Sequence, residues 1–411
     1  MITIGFISDI HYGELARSKE FTLPNQPPKG ATQNEASITD GLVQLFLENR
    51  VQYLFVGGDL TSRARPQEFF HCEKKIVEIA EKANIPLQNV IVGIGNHDID
   101  WQIASLETLY RDSGEEEHNI AKEAYRSVAS SVASHNMQRL LSMNEKGPVP
   151  LSGIVKNDSF IVFVLNSALF CTPDQKYPHG KLSEMQLSWF VQKAKEYKDA
   201  EQWKIVLLHH HPHNYAYPTI SQDISTLEEG SELLEAAGKV GIDLILHGHR
   251  HHPRAETIQK SGWAQAMTFV CGGSLSVNAE HRSNGDIPNT FHILQLSDNV
   301  GELMLLNYEY SASEGWKPLC VFKPETPLDA KMKLGKIISE ERAKQLIREM
   351  GLFDGIYRQL HWDDYADTLQ FLRIEKVNQL MVDTLSSDYT INGQFPKSVI
   401  LIKKEANDCE A

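Results

Sequence analysis

Val90-Ile91-Val92-Gly93-Ile94-Gly95-Asn96-His97-Asp98 is a short run of apolar, mostly β-branched residues that breaks off into a glycine, an amide, an imidazole and a carboxylate. The run reads as a buried strand, and its polar tail puts metal-ligand chemistry at the carboxyl end. Taken alone, Gly-Asn-His-Asp also suits an ordinary turn, with asparagine and aspartate bonding their own backbone. Recurrence of the same shape elsewhere decides between the two readings.

Upstream, residues 2–8 form a strand-like run that ends in Asp9-Ile10-His11, and residues 53–56 form another that ends in Gly57-Gly58-Asp59. Between them Ser37 and Asp40 resemble a capping box, followed by Ile38, Leu42, Leu45 and Phe46 at helical spacing. Pro66 opens a second helix carrying Phe69, Phe70, Ile76, Val77 and Ala80, which leads back to the Val90 strand. The stretch 20–33 reads as a long polar loop over the strand ends.

Downstream, residues 101–141 are polar and helix-prone and suggest a helical insert, about 101–150, beside the core. Strand character returns at 160–165. Ser183 then caps a helix with Met185, Leu187, Phe190 and Ala194. Residues 205–208 end in His209-His210-His211-Pro212; after a helix over 231–237, residues 242–246 end in His247-Gly248-His249-Arg250-His251-His252. Alternating strands and helices with polar strand ends predict an α/β layered fold. Runs at 267–270, 291–296 and 303–310 suggest that the second half forms a second sheet packed on the first. Past Pro324 and Pro327 two amphipathic helices, 337–350 and 365–385, and a closing strand at 399–402 predict a small, mainly helical extension. The expected units are 1–323 and 324–411.

The chain has 411 residues with 40 basic and 54 acidic side chains, a formal charge of −14. That balance argues against a general nucleic-acid coat and against an anionic membrane surface. The five cysteines (Cys72, Cys171, Cys271, Cys320 and Cys409) are odd in number and lack a Cys-x-x-Cys pair, which suits a reducing compartment. The first residues pass straight into a strand without a leader pattern, and no apolar run approaches the roughly 18 residues of a membrane helix. A cytoplasmic protein is expected.

Five strand ends thus carry Asp9 and His11, Asp59, Asn96 and His97, a histidine from 209–211, and His249 with His251. In an α/β sheet the carboxyl ends of parallel strands share an edge, so these groups can converge. Mixed carboxylate, amide and imidazole ligation suits manganese, iron, zinc or cobalt rather than calcium. Each block alone has a bland reading as a turn. A histidine cluster at a strand end, however, is costly to desolvate without partners.

The order of blocks resembles the calcineurin-like metallophosphoesterase superfamily: Asp-x-His, Gly-Asp, Gly-Asn-His-Asp, His, Gly-His-x-His. The resemblance covers roughly residues 1–310. It implies a four-layer α/β/β/α sandwich with two divalent or mixed-valence transition metal ions at one sheet edge. Carried over, Asp9, His11 and His251 would hold the first ion, Asp59 would bridge, and Asn96, His249 and His210 would hold the second. The family's His-x-Pro form points to His210, with His209 as the alternative. His97 would act as general acid, and Asp98 and His247 would stand behind the ligands. Two such ions clamp the attacking and leaving oxygens of a displacement at phosphorus. With two aspartates and a bridging hydroxide, about one positive charge remains, matched to a phosphodiester.

Gly180-Lys181-Leu182-Ser183 followed by Gln186-Leu187-Ser188-Trp189-Phe190 is similar to a segment common in the class III cyclic-nucleotide phosphodiesterase branch. The expected function is therefore hydrolysis of a nucleotide or other small phosphodiester by a metal-bridging hydroxide. Two alternatives stand beside it, a DNA or RNA nuclease of the same superfamily and a non-catalytic nucleotide- or metal-binding regulator. The C-terminal segment would cap the site, dimerise or bind a protein partner.

Overall fold

A computed structural model of the chain describes residues 1–29, 35–100, 140, 143–171, 180–213, 226–281, 287–319, 328–365 and 368–404. The expected helical insert falls almost wholly outside the described residues, as do Cys320 and Cys409.

Side-chain alternation along the strands builds the layers. In β1 (Ile2–Ile7), Ile4 and Phe6 face one side and Ile7 the other. After α1 (Ile38–Glu48), β2 (Tyr53–Val56) does the same with Phe55 against Leu54 and Val56. After α2 (Pro66–Lys82), β3 (Val90–Val92) repeats it with Ile91 against Val90 and Val92. The three strands are parallel, and their outer face packs on α1 and α2. Gly5 lies on that face because a Cβ there would come 2.6 Å from Phe46 Cζ. Omitting a side chain lets the Phe46 ring bury fully, a burial of about 1.5–3 kcal/mol.

The second sheet follows the same rule. Its members in chain order are β4 (Glu145–Lys146), β5 (Gly153–Lys156), β6 (Phe160–Val164), β7 (Trp203–Leu207), β8 (Leu244–His247), β9 (Arg254–Ile258) and β10 (Met267–Cys271). They lie in the order β4-β5-β6-β7-β8-β10-β9, with β6, β7, β8 and β10 parallel. Phe160, Val162, Val164, Ile205, Leu207, Leu244 and Leu246 meet Ile4, Phe6, Phe55 and Ile91 between the sheets. The opposite face, with Phe163, Val206 and Ile245, packs on α3 (Glu184–Glu196) and α4 (Gly230–Val240). Helices, sheet, sheet, helices make the expected four-layer α/β/β/α sandwich.

Two expectations need correction. The runs after β10 do not extend the second sheet. β11 (Thr290–Leu296) pairs antiparallel with β1, β12 (Leu303–Ser311) with β11, and both β13 (Gly315–Pro318) and β14 (Lys331–Leu334) with β12. They complete the first sheet because β1 otherwise has a bare edge and β11 offers it Leu294 and Leu296 for the inter-sheet core. The C-terminal segment has its two helices but carries more strand than the single closing run expected. α5 (Glu340–Gly351) and α6 (Ile374–Leu385) pack on an antiparallel sheet of β15 (Tyr357–Leu360), β16 (Tyr389–Gly393) and β17 (Val399–Lys403), around an apolar centre of its own. The start of the expected 365–385 helix is instead a short 3-10 turn, Leu369–Phe371.

Candidate metal centre

The loops leaving β1, β2, β3, β7 and β8 meet at one edge of the sandwich, and they do so in strained backbone. Asp9, His11, Asp59, His249 and His251 all have positive φ, from 49° to 77°, a region that residues with a Cβ rarely enter. Among the described non-glycine residues only four others do. Strain concentrated on these five side chains marks a place where geometry outweighs backbone comfort. Space is equally tight: a Cβ on Gly95 would lie 2.2 Å from Asp59 Oδ1, and one on Gly248 would lie 2.4 Å from Asp9 Oδ2. Glycine beside each aspartate lets neighbouring backbone pass within contact of it.

Two donor groups result, sharing one residue. Asp9, His11, Asp59 and His251 present ligand atoms within 4.8 Å of one another, and so do Asp59, His209 and His249. In the first group His11 Nε2 lies 3.1 Å from His251 Nε2 and 3.3 Å from Asp59 Oδ2, while His251 Nε2 lies 3.3 Å from Asp9 Oδ1. In the second, His209 Nε2 lies 3.2 Å from the same Asp59 Oδ2, and His249 Nδ1 lies 2.8 Å from Asn96 Oδ1. Asp59 is the carboxylate common to both.

The donor chemistry fits cations. His209 Nδ1 donates to the Gly57 carbonyl at 2.8 Å, which leaves Nε2 as the lone-pair nitrogen of a neutral ring. That Nε2 is buried, faces a carboxylate oxygen and makes no hydrogen bond. Acceptors aimed at acceptors are stable only around something positive. With protons as the only positive charge, burial alone would push His209 down, but Asp59, Asp9 and the Gly57 carbonyl prevail and raise it to about 9. Burial likewise opposes the Asp59 charge, yet His209, His97 and His11 hold its carboxyl well below the usual range. His11 is pushed down to about 4 by burial against the pull of Asp59. The cluster favours a centralised positive charge over protonation of every ring.

His97 and Asp98 do different work from the ligands. The His97 backbone N–H donates to Asp59 Oδ1 at 2.8 Å, and its Nδ1 donates to the Ser62 carbonyl at 2.9 Å. Its half-buried ring lies 4.6 Å from that of His11. Asp98 is fully buried and accepts from Gly95 N, Leu60 N, Thr61 N and Thr61 Oγ1 at 2.9–3.1 Å. It therefore ties the Asp59 loop to the Asn96 loop. Desolvation, then the charge of Asp59, raises its pKa to about 7 against those donors.

His210 is placed otherwise than the sequence reading expected. Its Nδ1 pairs with Ser167 Oγ at 2.9 Å and its Nε2 lies 3.8 Å from Cys171 Sγ, so His209, the alternative, stands in the donor group. Strand alternation is the reason: Leu207 faces the inter-sheet core, so His209 two residues on takes that side and His210 takes the other. His247 shares the parity of Ile245 on the helix-facing side of β8 and stands in neither donor group, whereas His249 reaches its group through left-handed backbone past the strand end. His247 is fully buried, and burial, reinforced by His211 and His213, holds it well below the usual imidazole range. The Ser62 carbonyl that orients His97 carries no sequence signal, since any residue supplies a carbonyl.

Among solved structures the fold is similar to the purple acid phosphatase PPD1 from yellow lupin, at 13% identity and TM-score 0.47 over 76% of this chain and 52% of that one. It is also similar to a dimetal phosphatase from Danio rerio, at 11% identity and TM-score 0.47 over 81% and 98%. A third is a putative 5'-nucleotidase from Staphylococcus aureus, at 14% identity and TM-score 0.36 over 85% and 57%. The chain thus spans about half the length of the lupin structure. No curated protein matches the sequence. Residues 2–253, more than half of the chain and all of the strand ends described above, match the calcineurin-like phosphoesterase family, and the chain belongs to it.

Proposed function

We propose that this phosphoesterase is a dinuclear metal-dependent phosphodiesterase acting in the cytoplasm on a nucleotide or other small phosphodiester. The observation that carries this reading is Asp59, one carboxylate standing between two donor groups. Asp9, His11 and His251 hold one ion with Asp59. Asn96, His209 and His249 hold the other, with His209 in the role first given to His210. Manganese, iron, zinc and cobalt all suit such donors. Bound there, the pair supplies a water of lowered pKa and positive charge for the phosphoryl oxygens. Residues 1–323 form the catalytic unit and 324–411 an extension that caps the site or docks a partner.

The chain's own residues do the rest. Nδ1 of His97 donates to the Ser62 carbonyl, which fixes the ring beside the donor groups, and an imidazole so placed can act as general acid toward the leaving oxygen. Asp98 keeps the two ligand loops in register. Membership of the cyclic-nucleotide branch rests on the 180–190 segment.

The test is turnover of an aryl phosphodiester, cyclic nucleotides, a phosphomonoester and single-stranded DNA, each with added manganese and with chelator. Diester turnover that chelator abolishes supports the proposal. Monoester preference, strand cleavage, or activity unchanged in chelator would each replace it, the second with a nuclease. Binding of nucleotide without turnover would make the chain a regulator.

A further inference from the structure

The 180–190 segment, which the proposed chemistry leaves unused, connects to the second donor group through a chain of buried contacts. Gln186, in the first turn of α3 and fully buried, accepts from Asn166 N at 2.9 Å and donates to Asn166 O at 3.1 Å. Its amide thereby substitutes for a strand partner just past the end of β6, where the ladder has run out. Asn166 holds the next residue in place, and the Ser167 carbonyl is held again by Lys181 N at 2.9 Å. Ser167 Oγ then accepts from His210 N at 3.2 Å and pairs with His210 Nδ1 at 2.9 Å. Gly180 closes the other side, since a Cβ there would lie 2.3 Å from His210 Cγ.

The His210 ring so fixed lies 4.3 Å from the His249 ring, and its backbone is continuous with His209. His209 and His249 are the two imidazoles that join Asp59 in the second donor group, whereas Asp9, His11 and His251 join it in the first. We propose that Gln186, Ser167 and His210 are positioning residues for the second cation, so that the 180–190 segment sets the affinity of one subsite and leaves the other alone. This rests on the dinuclear reading above.

Manganese binding to the full chain, followed by calorimetric titration and by metal content after dialysis, tests it. Removing the partners that orient metal ligands costs roughly 10- to 100-fold in affinity. Ser167→Ala and Gln186→Met should therefore weaken one manganese by about that factor and leave the other within twofold; the lost diester turnover should return at excess manganese. Leu187→Ala is the control, on the same helix but packed in the apolar layer; it should lower melting temperature without moving either affinity. Unchanged affinities, or equal weakening of both ions, would overturn the proposal even with the wild type binding two. A wild type that binds fewer than two ions would remove the dinuclear reading and this inference together. Should Gln186→Met not fold, Ser167→Ala, the smaller change, decides.

Discussion

Asp59 is the residue on which the most converges. It accepts the His97 amide, faces His11 and His209, and belongs to both donor groups. Asp59→Ala should lose both cations and activity together in a metal analysis; a variant still fully loaded contradicts the bridging role. His97→Ala should keep its metal and lose roughly 10²- to 10⁴-fold in turnover, the usual contribution of a general acid. Loss of metal in that variant would instead make His97 a ligand. Most residues brought together here were legible in the sequence, because a polar tail after an apolar run names them one strand at a time. The choice between His209 and His210 was legible too, from the parity with Leu207, although motif spacing pointed the other way.

Helix starts and strand runs are the best-read elements, because local chemistry fixes them. Ser37 Oγ accepts from Asp40 N at 3.0 Å as its position predicts, and Pro66 and Ser183 also stand at helix starts. One cap comes from outside the local sequence. The Glu20 carboxylate accepts from Ile38 N at 2.8 Å and Thr39 N at 2.9 Å, pinning the first loop to the amino end of α1, where the helix dipole favours an anion. Glu20→Ala should cost about 1 kcal/mol, within the range for lost caps, as read from the urea midpoint; an unchanged midpoint would show that the contact contributes nothing. Elements that escaped the sequence are short and polar. β15 reads Tyr-Arg-Gln-Leu, with no apolar alternation, and β16 reads Tyr-Thr-Ile-Asn-Gly, whose alternation lasts only from Tyr389 to Ile391, too short to announce a strand. Only pairing with β17 makes them strands, and pairing is not a local property.

At the scale of the whole molecule the layers were legible and the path of the chain was not. Alternation fixes which face of a strand is buried, but not which sheet a late strand joins. β11 carries a buried histidine into that shared first sheet. His292 Nδ1 donates to Asn307 Oδ1 at 2.6 Å, and burial, against that bond, lowers its pKa to about 4. The unfolded chain takes up this proton near pH 6.5 and the folded one only near 4. Stability from this group is therefore full above pH 6.5 and lost as pH falls through that window, by on the order of 3 kcal/mol. His292→Gln should flatten the acid limb of a stability-versus-pH curve relative to wild type. An identical limb would mean the ring does not stay neutral in the fold.

The antiparallel union of β1 with β11 also dictates a timetable for birth on the ribosome. The neighbour of the first strand on that flank is encoded some 280 residues after it, a wait of roughly 15–60 s at ordinary elongation rates. Throughout that interval the nascent chain exposes an unzipped margin, and His251 has not been made for most of it. Closure of the two donor groups is thus a late event, and a chaperone that shields the unpaired margin of the first strand would raise the yield of folded chain.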